Sequence, residues 1–328
     1  MILNSIIYAR SISIIMVLLF HFFPQIFSLG YLGVDFFFII SGFAIFFGQR
    51  SKIKNQKFSP INFFKKRYFR LQPPAIVIIL ISMIISVFLL VPFNAETTFY
   101  TGLAATFGLA NFWLIRISND YFAPLSDLNP FLHFWSLGVE EQFYIFFILL
   151  GYFCNFFKLS LKIFLVFIFS FSLGGLLLTE ILELDKFFNS LSRIWQFFIG
   201  ISLAEIILTK NHSSKRFLFI GVLFLFLTNY FFSQNILINF IIIMFSILFF
   251  LNIVFEIKNF SKIEYFKNTY FSSLLKYFGN RGYSFYLTHW PIIVFIGNDS
   301  IFEILLSLIL TFISTELLYQ KFEKSYAK

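Results

Sequence analysis

Long apolar stretches, interrupted by short polar clusters, dominate this chain. Runs long enough to cross a bilayer, roughly 17–25 residues, fall near 6–23, 31–48, 74–92, 131–153, 161–179, 191–208, 217–232, 236–255, 283–297 and 301–320. Most are apolar on every side and lack the one-sided stripe of a soluble helix. The pattern predicts an all-α, polytopic membrane protein with about ten transmembrane helices, forming a single membrane domain over residues 1–328. Residues 99–115, FYTGLAATFGLANFWLI, are apolar but broken by glycines. They read as a re-entrant or interfacial segment on the outer side, where irregular backbone is tolerated only under protein cover. Residues 258–280 mix Lys with aromatics and predict a cytoplasmic interfacial helix.

Charge sets the threading. With the N-terminus inside, 22 of the 25 Lys and Arg residues fall on the inner side, leaving Arg116, Lys186 and Arg193 outside. Acids cluster on the outer side: Asp120, Asp127, Glu180, Glu183, Asp185 and Asp299. By the positive-inside rule both termini are expected in the cytoplasm. A full span at 99–115 would invert every later loop. The net charge of +9 is therefore a topology signal, and no nucleic-acid partner is expected.

Composition sharpens the class. The chain is 59% hydrophobic and 12% charged, where soluble domains carry about 25% charged residues, so the lipid bilayer is itself a partner. The single cysteine, Cys154, excludes an internal disulfide and a cysteine-rich metal site, and no metal is expected. The start, MILNSIIYAR, has no early positive region, so the first run is expected to be a retained helix.

Ionisable residues inside spans are costly, and they mark candidate chemistry. The first span carries Arg10 and His21. Eleven residues at 100° each return to nearly the same face, roughly 16 Å along the axis. Asp35 lies just inside the second span, in GYLGVDFFFIISGF, and needs a cationic partner. Its glycines also suit close helix packing. In FFKKRYFRLQPP, which ends the basic loop and opens the third span, Arg67 and Arg70 are three apart and face the same way. Two guanidiniums on one face suit a phosphate or pyrophosphate; anionic lipid headgroups suit them too. The densest cluster is FLHFWSLGVEEQFY, with His133 and Glu140 almost on one face and Glu141 beside them. Such carboxylates need cations or an aqueous cavity, and either could orient an imidazole or act as a base. Arg193 and Glu205 mark the two ends of the sixth span, and His289 lies in RGYSFYLTHWP. His212 sits in a basic loop and is assigned no role.

Taken in order, these stretches resemble the acyltransferase-3 family, integral-membrane acyltransferases that O-acetylate cell-surface carbohydrates. The resemblance rests on Arg10 followed eleven residues later by His21, then LGVDFFFIISGF, RYFR, HFWSLGVEEQFY, RIWQFFIG and GYSFYLTHWP. It implies a bacterial inner-membrane O-acyltransferase with no permanently bound cofactor and acetyl-CoA as the cytoplasmic donor. The implied acceptor is a hydroxyl of a carbohydrate such as O-antigen, capsule or exopolysaccharide. By the same resemblance His21 is the catalytic histidine, and Arg67, Arg70 and Arg10 hold the CoA. Asp35, Glu140 and Glu141 would position the histidine or balance the arginines. HFWSLGVEEQFY is similar to the branch often fused to an SGNH hydrolase-like domain. No such domain is expected after LLYQKFEKSYAK, which leaves a stand-alone enzyme or one half of a system completed by a separate SGNH-type protein. Two other classes fit the polar spans: a proton-coupled transporter or flippase of envelope precursors, and a non-catalytic scaffold. A transporter often shows internal repeats, and none is evident here.

Overall fold

The computed structural model describes residues 2–117, 128–209 and 270–324. All regular elements among them are helical. In chain order they are α1 (Ile2–Phe22), α2 (Leu32–Lys54), α3 (Pro60–Leu89), α4 (Pro92–Thr106), α5 (Ala110–Ile117), α6 (Phe134–Phe156), α7 (Leu161–Ile181), α8 (Ile194–Leu208), α9 (Tyr270–Asn280), α10 (Gly282–Ile296) and α11 (Ile301–Leu318). A π-helical turn, Tyr319–Glu323, continues α11.

Six helices are long and apolar enough to cross a membrane: α1, α2, α3, α6, α7 and α11 with its π turn. The chain is a multi-pass membrane protein. The expected spans at 191–208 and 283–297 appear as the 15-residue helices α8 and α10, shorter than a full crossing needs. The expected spans at 217–232 and 236–255, with His212, Asp120 and Asp127, lie outside the described residues.

One boundary moved for a physical reason. The third span was expected to open at residue 74, after a basic loop. Instead α3 runs for 30 residues from Pro60, so Arg67 and Arg70 ride on a helix. Pro73 and Pro74 sit inside it. Proline removes a helical N–H donor, but a neighbouring helix can serve the freed turn. The carbonyls that lose a helical donor are those of Phe69 and Arg70; one residue on, the Tyr283 hydroxyl of α10 donates to the Leu71 carbonyl at 2.8 Å.

Residues 99–115 form a helical hairpin. α4 and α5 meet at Phe107-Gly108-Leu109, where Gly108 adopts φ +68°, a conformation that disfavours side chains. α6 covers the turn: Gln142 Nε2 donates to the Gly108 carbonyl at 2.9 Å and to Asn111 Oδ1 at 2.8 Å. The bent backbone is thus sealed by protein, as lipid requires.

The core centres on α2 and α8, which pack closely on each other. Small residues permit this: a Cβ on Gly42 would come within 2.2 Å of the Phe197 carbonyl, and one on Gly200 within 2.0 Å of the Ile39 carbonyl. Asp35, in the first turn of α2, receives Arg193 Nη1 at 2.8 Å and a bond from Gln196. At the other end of the pair Arg50 forms a two-pronged bridge to Glu205. The described part of the expected interfacial segment is α9, which packs on α1 through Gly279 and a Ser11–Leu275 bond while exposing Tyr270 and Phe271.

Candidate functional site

Three successive residues of α6 each serve a different neighbour, because helix positions step by 100°. Glu140 accepts from Ser41 of α2 at 2.6 Å and from Tyr144. Glu141 accepts from Gln72 of α3 at 2.7 Å. Gln142 holds the α4–α5 hairpin as described. The EEQ run is therefore a junction between α2, α3 and the hairpin.

Glu140 opens into a polar cavity that it shares with Arg10, Arg67, Arg70, Ser41, Tyr283 and Glu323. These residues come from six elements: α1, α2, α3, α6, α10 and the π turn. Glu323, buried at 3% exposure and bonded to Ser284, is a carboxylate the sequence reading did not single out as a site residue. The extra residue of a π turn re-aims side chains, and such turns recur at functional sites. Among the described residues the ion pairs are Arg50–Glu205, Lys186–Glu180, Arg193–Asp35 and Arg281–Glu316. Arg10, Arg67 and Arg70 belong to none of them. The Nε of Arg10 is buried without a hydrogen-bond partner, and Arg67 lies over the Tyr144 ring at 5.2 Å. Three guanidiniums share a pocket with two carboxylates and retain unused donors, the arrangement expected of an anion site.

Glu141 faces an adjoining cavity of about 260 Å³ between α3, α4 and α6, lined by Phe64, Tyr68, Phe107 and Ile145; Arg67, Leu71 and Tyr144 stand between it and the arginine pocket and line both. Asp35 is engaged by α8, as described.

A further cavity runs from the arginine pocket along α1 past Ser13, Ile14 and Val17. It is narrow, about 20 Å³, and mostly apolar, lined by Ile14, Val17, Phe37 and Leu137. It shares Glu140, Gly282 and Tyr283 with the arginine pocket and reaches Ser136 and Tyr286. Tyr286 donates to the His133 carbonyl at 2.8 Å and meets Ser136 Oγ at 2.6 Å.

Beside Tyr286 three imidazoles gather. His21, 8% exposed, ends α1, where Pro24 follows two residues after the helix. Its Nδ1 lies 3.1 Å from Nε2 of His289. His289 Nδ1 lies 2.9 Å from the Phe285 carbonyl. The His133 ring packs on His289 at 5.4 Å between centroids. Both His133 ring nitrogens are buried without a partner at hydrogen-bond geometry, although the Leu287 backbone lies close enough to interact. Pro291 cannot supply the helical donor that the Leu287 carbonyl would otherwise receive. Trp290 stacks near His21 at 4.7 Å and anchors its indole N–H on the Asn129 carbonyl at 2.9 Å. Asn298 ties the α10–α11 turn to the His21 carbonyl at 3.0 Å. Despite three histidines, no group placed to hold a metal ion occurs among the described residues.

The sequence thus located His21, Arg10, Arg67, Arg70 and Glu140 in or beside one line of cavities, and the structure adds His133, His289 and Glu323. His133 and His289 were visible as intramembrane histidines, but nothing in the spacing joins His289 to His21, 268 positions away. Glu323 gave one signal, a carboxylate at the end of an apolar run.

This constellation is that of a membrane protein with an arginine-lined pocket and a buried histidine cluster. The family model described as "Acyltransferase domain", of the acyltransferase-3 type, matches residues 3–317, and the chain belongs to that family. It is 30% identical over 350 aligned positions to O-acetyltransferase OatA of Staphylococcus aureus strain NCTC 8325 / PS 47, covering 97% of this chain and 56% of the relative. O-acetyltransferase OatA of strain COL gives the same identity and coverage. The chain therefore spans about half the length of the curated relatives it matches. No solved structure matches it.

Proposed function

We propose that this chain is a membrane O-acyltransferase that takes an acetyl group from acetyl-CoA at the basic end of the bundle and delivers it to a carbohydrate hydroxyl at the other. One observation carries the reading: the pocket of three guanidiniums without carboxylate partners adjoins a narrow cavity lined by Tyr286, whose ring contacts His133 and His289 of the histidine cluster. The basic end, marked by exposed Lys52, Lys65 and Lys66, is the cytoplasmic side by the positive-inside rule. Arg10, Arg67 and Arg70 bind the phosphates of the donor, with Glu140 and Glu323 limiting their mutual repulsion. The narrow apolar cavity marks the path of the pantetheine arm toward His21; at rest it has room for about one water and must widen to admit the arm. At that end His21 removes the acceptor proton as its oxygen attacks the thioester carbonyl. The C–S bond breaks, the acetyl group passes to oxygen, and the proton returns to the thiolate. A variant in which the imidazole carries the acetyl group between two half-reactions uses the same residues. We assign Asp35 to holding α2 against α8 through Arg193, and Glu141 to holding α6 against α3 through Gln72. The acceptor is a cell-surface or lipid-linked carbohydrate.

The test uses purified protein in lipid nanodiscs with labelled acetyl-CoA, and surface glycan from cells. Wild type binds acetyl-CoA and raises surface acetylation. His21→Ala is expected to abolish transfer at unchanged protein level and donor affinity. Undiminished acetylation in that variant removes His21 from the chemistry. Absence of acetyl-CoA binding by wild type removes the enzyme reading and leaves transport.

A further inference from the structure

Resting on that reading, we propose that His289 is the positioning residue of His21: it fixes which ring nitrogen of His21 carries the proton, and it shares the positive charge when His21 becomes protonated.

The argument begins at a carbonyl. The Phe285 oxygen can only accept, so the His289 nitrogen 2.9 Å away must be the N–H donor. In a neutral imidazole the other nitrogen, Nε2, is then an acceptor. That atom faces His21 Nδ1 at 3.1 Å, so His21 Nδ1 carries the hydrogen. The lone pair of neutral His21 is thereby assigned to Nε2. This chain of two bonds, carbonyl to His289 to His21, starts in the α10 backbone and ends at a reactive nitrogen on α1.

The surroundings favour such a device. His289 is fully buried, at 0% exposure, and its ring is tethered to the Phe285 carbonyl. Trp290 next to it is anchored on Asn129, and Asn298 fixes the end of α1. The Val17 backbone lies against the His21 ring as well. A carbonyl there can accept the Nδ1 hydrogen but cannot take a proton. His289 can do both. When His21 Nε2 gains the acceptor's proton, its Nδ1 proton moves toward His289 Nε2, and the new charge spreads over two rings held at their far side by Phe285. When the thiolate reclaims the proton from His21 Nε2, the Nδ1 proton settles back. In Ser–His–Asp triads a carboxylate performs this orienting and stabilising task. Here the carboxylates are committed elsewhere, Asp35 to Arg193 and Gln196, Glu140 to Ser41 and Tyr144, Glu141 to Gln72.

Two measurements on the full chain in nanodiscs test the assignment. The first does not depend on activity. The chain holds four histidines, so ¹⁵N-histidine labelling gives a sparse spectrum. A through-hydrogen-bond N–N coupling should join His21 Nδ1 to His289 Nε2, and His289→Gln should remove it. Absence of that coupling in wild type overturns the proposal whatever the activity. The second compares His289→Leu with His289→Gln. Leu is expected to lower kcat by about 100-fold, the scale of losing a partner that orients an imidazole. Gln restores an acceptor and should recover about tenfold. KM for acetyl-CoA should stay within about twofold in both, because the arginine pocket is untouched. Equal loss in Leu and Gln, or a loss in KM matching that in kcat, makes His289 a packing residue and overturns the proposal. A wild type that shows the coupling but transfers no acetyl group overturns the functional reading instead, and with it the role of His289 in transfer.

Discussion

A guanidinium without a carboxylate inside a membrane protein is expensive unless a ligand uses it. Arg50, Arg193 and Arg281 each have a carboxylate partner; Arg10, Arg67 and Arg70 do not. Charge-assisted hydrogen bonds contribute about 1.5–3 kcal/mol each, so Arg67→Ala with Arg70→Ala should weaken acetyl-CoA binding by roughly 100-fold or more, read by titration of the purified protein. Unchanged affinity would hand these residues to lipid headgroups. Asp35 behaves oppositely. Asp35→Asn leaves the part-buried Arg193 without its counter-charge, a change whose upper bound is the about 3–5 kcal/mol of breaking a fully buried pair. Thermal unfolding in detergent should show a clear fall in Tm, with donor affinity preserved in whatever protein remains folded. The sequence made both pairs of residues visible, because an arginine or aspartate within an apolar run stands out. It did not say which carboxylate meets which cation. Asp35 finds Arg193 across 158 positions, a choice made by the packing of α2 on α8, and periodicity carries no trace of that.

At the scale of elements, the α2–α8 contact is the most demanding joint. Gly200→Ala would bring a methyl carbon to about 2.0 Å from the Ile39 carbonyl, backbone that cannot step aside. Overpacking of this kind costs about 1–3 kcal/mol. Gly174→Ala in α7 is the matched control, since a Cβ there meets nothing within 4 Å. Thermal melts should separate the two, with Gly174→Ala neutral or slightly stabilising. Most long helices were legible because apolar length alone specifies them. The start of α3 was not. A basic run beside two prolines reads as loop, yet the prolines are accommodated within a helix and Tyr283 of α10 bonds the adjacent turn. The hairpin of α4 and α5 was anticipated as irregular because its glycines break the run, whereas its seal by Gln142 depends on α6, thirty-four positions away.

Orientation belongs to the whole molecule. Cys154 is the only cysteine and is buried, so introduced cysteines report cleanly. Lys65 and Asp299 are both exposed. In intact cells a membrane-impermeant maleimide should label Asp299→Cys, and Lys65→Cys only after permeabilisation. The reverse result would turn the proposed direction of transfer around. Loop charge alone argues for that direction in the sequence, and it needs no knowledge of packing, whereas the assembly of the histidine cluster depends on packing.

The narrow cavity between the arginine pocket and the histidines has a further consequence. At about 20 Å³ it has room for roughly one water, and its walls are largely apolar. Hydrophobic constrictions of that width stay dry and stop ions. A catalyst that works across a charged membrane must not short-circuit it. By this geometry the resting protein is electrically tight, and reconstituted vesicles containing it should hold a proton gradient as long as empty ones do.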